Sequence, residues 1–227
     1  MERHWRHNGP MRTYLWTVGH ETLAVAHHDV WWMSWNLLLA AVPAAMAVLL
    51  FHRPRRHTLA WWCGVATFVL FLPNAPYVIT DLIHLRWNVH SATLHGTIVF
   101  GILPIYAVFV IAGFACYVLA LYEVGRAVSR SSWSQRSRTV QFSLHAACAV
   151  GVLIGRVPHI NSWSVVTDPR LALSLSAHTL SNPAAPLVIA VLFGVIWFGH
   201  ESTKVVAQTA YRSWLQVRAV SPRTSVR

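Results

Sequence analysis

Residues 97–122 read TIVFGILPIYAVFVIAGFACYVLALY, a run without a single Asp, Glu, Lys, Arg or His. As an α-helix this run is about 39 Å long, more than the ~30 Å of hydrocarbon in a bilayer. It lacks the polar–apolar alternation of a barrel strand, and a backbone in lipid must pair its own N–H and C=O groups, so it reads as a transmembrane helix. Pro104 predicts a kink near its start. Four further apolar runs, at residues 30–51, 58–73, 140–157 and 183–200, read the same way. The expected fold is all-α, a bundle of about five transmembrane spans.

Composition agrees with that reading. Of 227 residues, 55% are hydrophobic and 11% charged, far from the balance of a soluble domain. The net charge of +11 points to loops facing anionic membrane lipids as partners; no nucleic-acid motif accompanies it, so no nucleic-acid partner is expected. Cys63, Cys116 and Cys148 fall in different spans and read as small buried residues rather than a disulfide or thiolate metal set. Residues 14–26 are broken by Thr17, Gly19, His20, Glu21 and Thr22, which argues against a cleaved signal peptide. The organisation expected is an interfacial segment at 1–29, a transmembrane domain at 30–206 and a basic cytoplasmic tail at 207–227.

Orientation follows from where Lys and Arg fall near the spans. One set of connections carries Arg53, Arg55, Arg56, Arg126, Arg130, Arg136, Arg138, Lys204, Arg212, Arg218, Arg223 and Arg227. The alternate set carries Arg3, Arg6, Arg12, Arg86, Arg156 and Arg170. This bias puts the N-terminus outside and the C-terminus in the cytoplasm. Trp31, Trp32 and Trp35 then mark the outer interface, and the stretch after the second span, Pro73-Asn-Ala-Pro-Tyr-Val-Ile-Thr-Asp-Leu-Ile-His-Leu85, starts there too.

That stretch holds the densest set of groups able to do chemistry. Asn74, Tyr77, Asp81, His84 and Asn88 are spaced three, four, three and four apart, so a continuous helix would align them as one polar stripe. The fourth span delivers a second group, Gly155, Arg156, His159, Asn161, Ser162 and Trp163, to the same side. Asn36 lies just beneath the tryptophans of the first span.

Several functions compete for these residues. As a binding site, Asn36, Asn74, Tyr77, Arg156, Asn161 and Trp163 hold a lipid headgroup or another anionic group, with Arg156 as the clamp. As an enzyme, a metal-dependent hydrolase or transferase acting on a lipid-linked substrate, Asp81 and His84 act as base and orienter. Alternatively they bind a divalent metal such as zinc, with His159 or the His27, His28 and Asp29 group completing the set. As a plain structural element, Asp81 ties the second span to the fourth through Arg156, Tyr77 or Asn161. A transporter or accessory subunit is the third class, and it needs ionisable groups across the membrane. The inner side offers Glu123, His145, His200 and Glu201, and His145 and His200 on separate helices are also conceivable haem or metal ligands.

Three motifs together resemble a family of bacterial integral-membrane proteins catalogued as domain of unknown function 1361. They are Trp35-Asn36, the stretch Leu72-Pro73-Asn74-Ala75-Pro76-Tyr77 with Thr80-Asp81-Leu82-Ile83-His84-Leu85, and Gly155-Arg156 followed by Asn161-Ser162-Trp163. The resemblance covers roughly residues 30–200. It implies a multi-pass protein of the bacterial cytoplasmic (inner) membrane and carries no activity with it. The chain departs from the family pattern at His159, where a second basic residue, usually Arg, is expected, and at Ser164, where an Asp commonly follows. Asp168 is the nearest substitute for that Asp.

Overall fold

In a computed structural model of the chain, residues 9–53, 58–157 and 167–220 are described. Every regular element among them is helical: α1 (Gly9–Phe51), α2 (Leu59–Phe71), α3 (Asn74–Tyr77), α4 (Leu82–Ser91), α5 (His95–Thr97), α6 (Leu103–Ser129), α7 (Ser137–Arg156), α8 (Pro169–Leu180) and α9 (Ala185–Val220). Among the described residues five stretches are long and apolar enough to cross a membrane: Met11–Phe51, Leu59–Ser91, His95–Ser129, Ser134–Arg156 and Ala185–Gln216. They contain the five runs read from the sequence, apart from a residue or two at three of the run ends. The chain is a multi-pass membrane protein by this architecture. Two boundaries expected from composition, at 29/30 and 206/207, fall inside the continuous helices α1 and α9.

The chain forms two compact units, residues 1–120 and 121–227, divided within α6. In the first, α1 is the organising element. Its 43 residues extend for about 64 Å, twice the hydrocarbon thickness, so it carries both a lipid-spanning half and a half that continues past it. One face changes character along its length. Ala40, Ala44, Ala47 and Phe51 are buried on it. Trp61 donates its indole N–H to the Leu50 carbonyl at 3.2 Å, and Phe51 meets Phe68 edge-on at 5.3 Å, so small residues here admit α2 closely. Further toward the N-terminus the inward positions become Asn36, Asp29 and Thr22, seven residues apart, the spacing that keeps side chains on one helix face.

Local chemistry sets the ends of the shorter helices. Thr58 caps α2 by accepting the Trp61 amide at 3.2 Å. Pro73 and Pro76 have no N–H to donate, and beyond α2 the backbone tightens into i→i−3 bonds from Ile79 to Pro76, Thr80 to Tyr77, Asp81 to Val78 and Leu82 to Ile79. The stretch 73–85 is therefore two short helices joined by a turn, not the single helix the polar spacing suggested.

Pro104 has a similar effect upstream of itself. Its ring cannot donate to the carbonyl four residues back, and Ile98–Ile102 adopt a π-helical turn with the Leu103 amide on the Ile98 carbonyl. Gly101, at the centre of this turn, lets the backbone close on α1: a Cβ there would collide with the Thr22 hydroxyl, which is held by its bond to the Val18 carbonyl at 2.7 Å. Gly113 does the same against Val78, whose Cγ2 would lie 2.5 Å from an added Cβ. Along α1 the third span meets Glu21 through Thr97, Thr22 through Gly101 and Asp29 through Tyr106, so the first and third spans are parallel, as alternating membrane crossings require. Met33, Val78, Ile102, Tyr106 and Phe109 form the apolar core between them.

In the second unit α7 and α9 pack together and α8 packs on both. Cys148, Ala149, Val152 and Leu153 are the buried face of α7, and Ile196 that of α9. Asp168 accepts the Leu171 amide at 3.1 Å as the cap of α8, with Pro169 at the first helical position. Asp168 is thereby engaged as a helix cap; the segment that it would complete as a substitute, 158–166, lies outside the described residues.

Candidate functional site

Three layers of polar contacts lace α1 to the segment 81–97, antiparallel to it, and each contains one carboxylate. In the first layer the Asn36 amide donates to Asp81 Oδ2 at 2.9 Å. In the second, Asp29 takes donors on both oxygens. His28 Nδ1 at 2.8 Å and the Trp32 indole N–H at 3.1 Å reach Oδ1, while the Asn88 amide and, at 3.1 Å, the Tyr106 hydroxyl reach Oδ2. In the third, Glu21 accepts from the hydroxyls of Thr93 and Thr97. Steps of seven and eight residues on α1 separate the layers by about 11 Å each.

Asp29 and Asp81 are 3% and 2% exposed, which matters because a buried carboxylate survives only where hydrogen bonds replace its water. Asp29 has four such donors, drawn from α1, α4 and α6, and its role is to join those helices. Asp81 sits at the junction of the turn and α4, next to the side chain with the most unusual setting in the unit. His84 points both its backbone N–H (3.0 Å) and its ring Nδ1 (3.2 Å) at the carbonyl of Asp81. A carbonyl only accepts, so Nδ1 carries the proton in the neutral ring and Nε2 is left with its lone pair. The ring lies over Trp32 with centroids 4.7 Å apart and planes tilted by 32°, and the residue is exposed on the surface of the unit.

The other residues of the expected stripe separate from this group. Asn74 turns back to donate to the Phe71 carbonyl at 2.9 Å. Tyr77 is half-buried, and its carbonyl accepts the Thr80 hydroxyl at 2.7 Å. Asp81, His84 and Asn88 do share the side of α4 that meets α1. Arg156 is half-buried at the end of α7 in the second unit; His159, Asn161 and Trp163 lie outside the described residues. No group of three or more His, Cys, Asp or Glu side chains able to hold a metal ion occurs among the described residues. The set Asp81, His84 and His159 is represented there by two members, and the described pair has its imidazole Nδ1 already engaged.

Tyr106 and Asp29 are what the sequence reading missed as central. Two signals were present: a tyrosine inside an apolar run needs a partner for its hydroxyl, and Asp29 precedes Asn36 by seven residues on a helix. In the second unit, His145 and His200 come together as their positions allowed. Both are 2% exposed, with ring centroids 4.9 Å apart and planes at 62°. The two rings therefore pack directly on each other. Glu201 lies 3.3 Å from His200 Nδ1 and is held by Lys204 at 2.9 and 3.1 Å.

The family model described as "Protein of unknown function (DUF1361)" matches residues 35–198, most of the chain and all of the expected motifs. The chain belongs to the DUF1361 family. No curated protein and no solved structure matches it. The DUF1361 match begins one residue before Asn36 and includes Asp81, His84, Asn88 and Tyr106, while Glu21 and Asp29 lie on the part of α1 that precedes it.

Proposed function

We propose that this DUF1361 member binds the polar headgroup of a membrane lipid at the outer face of a bacterial inner membrane, through Asn36, Asp81 and His84. The observation that carries the reading is the Asn36–Asp81–His84 arrangement: a buried carboxylate held by an amide from α1, beside an exposed imidazole whose Nε2 accepts. Asn36 is one to five residues from Trp31, Trp32 and Trp35, so a tryptophan belt at the interface leaves the group within about 10 Å of the headgroups. The bias of Lys and Arg supports the same orientation, N-terminus outside and C-terminus in the cytoplasm.

The ligand's own chemistry follows from what the first unit presents. The exposed acceptor is His84 Nε2, beside the buried Asp81, and it suits hydroxyl or ammonium hydrogens on the headgroup. The anion-binding half of the sequence reading depends on Arg156 in the second unit and on Asn161 and Trp163. A metal-dependent hydrolase needs a third ligand from residues such as His159, and no described contact favours it over binding.

Lipid retained by protein purified in mild detergent tests the proposal, with wild type beside Asn36→Ala and Asp81→Asn. Retention of one headgroup class by wild type, reduced at least tenfold in either folded variant, is the expected result. An identical lipid complement in all three would sink it.

A further inference from the structure

We propose that His84 Nε2 is the specificity-determining acceptor of the site, and that Asp29 and Trp32 are positioning residues that hold it for a headgroup able to donate a hydrogen bond. The inference deepens the headgroup reading and rests on it. Each link is a contact. Asn88 and Tyr106 fix the Asp29 carboxylate from α4 and α6. Asp29 Oδ1 takes the Trp32 indole N–H at 3.1 Å and so sets the plane of that ring. The Trp32 ring is wedged edge-on against Phe109 at 5.5 Å and offers its face to His84 at 4.7 Å. The Asp81 carbonyl then takes Nδ1–H of His84. With one nitrogen committed to a carbonyl and one face committed to an indole, the imidazole has a single polar atom left, and in the neutral ring that atom accepts.

An acceptor fixed in this way discriminates by hydrogen-bond donation rather than by charge. A primary ammonium, as in phosphatidylethanolamine, donates; so do the hydroxyls of phosphatidylglycerol. The trimethylammonium of phosphatidylcholine has the same charge as the first and no hydrogen to give. A donor headgroup gains one hydrogen bond at Nε2 that phosphatidylcholine cannot make, worth roughly tenfold in affinity at an exposed acceptor.

The test is binding of short-chain phosphatidylethanolamine, phosphatidylglycerol and phosphatidylcholine to delipidated full-length protein at pH 8, by native mass spectrometry. Wild type and the variants His84→Phe, Trp32→Leu and Asp29→Asn are compared, and the ring nitrogens of His84 are read by 15N NMR. Wild type is expected to take the two donor lipids at least tenfold more tightly than phosphatidylcholine. His84→Phe, which keeps a ring on Trp32, is expected to abolish that preference. Trp32→Leu and Asp29→Asn are expected to weaken the preference and to shift the His84 signals away from the Nδ1–H form. Equal binding of all three lipids by wild type would overturn the inference and leave headgroup binding standing. Loss of preference in His84→Phe with unchanged His84 tautomer in folded Trp32→Leu and Asp29→Asn would overturn the positioning roles. Binding of none of the three would remove the headgroup reading and this inference with it.

Discussion

The two units bury polar groups in opposite ways. In the first, a carboxylate with neutral donors from distant parts of the chain is the rule: Asn36 and Asp81 are 45 residues apart, Asp29 and Asn88 59, and Asp29 and Tyr106 77. In the second, two imidazoles meet across α7 and α9, and the carboxylates Glu201 and Glu123 have their ion pairs, to Lys204 and Arg126, within a single turn of the same helix. A long-range donor is lost when the helices part, so the first arrangement binds the fold together. A local ion pair persists in an isolated helix and is worth little.

The largest effect should come from Asp29→Leu, which leaves the donors of Trp32, Asn88 and Tyr106 buried without their acceptor. Unfolding of the detergent-solubilised protein by added SDS should show a loss of about 3 kcal/mol or more. A variant within 1 kcal/mol of wild type would erase the contrast between the units. Next comes Gly101→Val, expected to cost about 1–3 kcal/mol because the Thr22 hydroxyl cannot swing aside without giving up its carbonyl partner. Ala at the same position, with less to accommodate, should cost less.

For the second unit, His145→Leu and His200→Leu should each cost about 1–2 kcal/mol, while the double variant costs less than their sum, since each single variant disturbs the same ring contact. Strict additivity in that cycle would mean that the rings do not sense each other. Lys204→Ala should be the smallest, under about 1 kcal/mol, because both side chains of its ion pair are more than a third exposed. A loss as large as that of Asp29→Leu would make the two units alike.

How much of this could be read from residues alone depended on the range of the interaction. The five spans follow from apolar run length, and the Trp35-Asn36 and 72–85 motifs found the family. Asp81, His84 and Asn88 share a side because all three lie on or at the start of one helix, where spacing means direction. Asn74 and Tyr77 continue the same spacing, but a turn of i→i−3 bonds separates Tyr77 from Asp81, and past it the spacing no longer reports a face. Asp29 was assigned to the segment before the first span because hydropathy changes there, whereas the helix continues through it. Tyr106 had no visible partner at all: its bond to Asp29 spans 77 residues, and no local pattern encodes such a pairing.

The π-turn at Ile98–Ile102 has a bearing on how tolerant α6 is to change in length. It holds one residue more than an α-helical turn would, and that extra residue rotates everything after it by about 100°. Thr97 before the offset and Tyr106 after it thereby both address α1, at Glu21 and at Asp29. The turn works as a phase shifter between two halves of one rod. Deleting a single residue from it would straighten the helix locally yet turn one half out of alignment with the other, whereas an equal deletion in the 130–133 connection after α6 would leave both halves in phase.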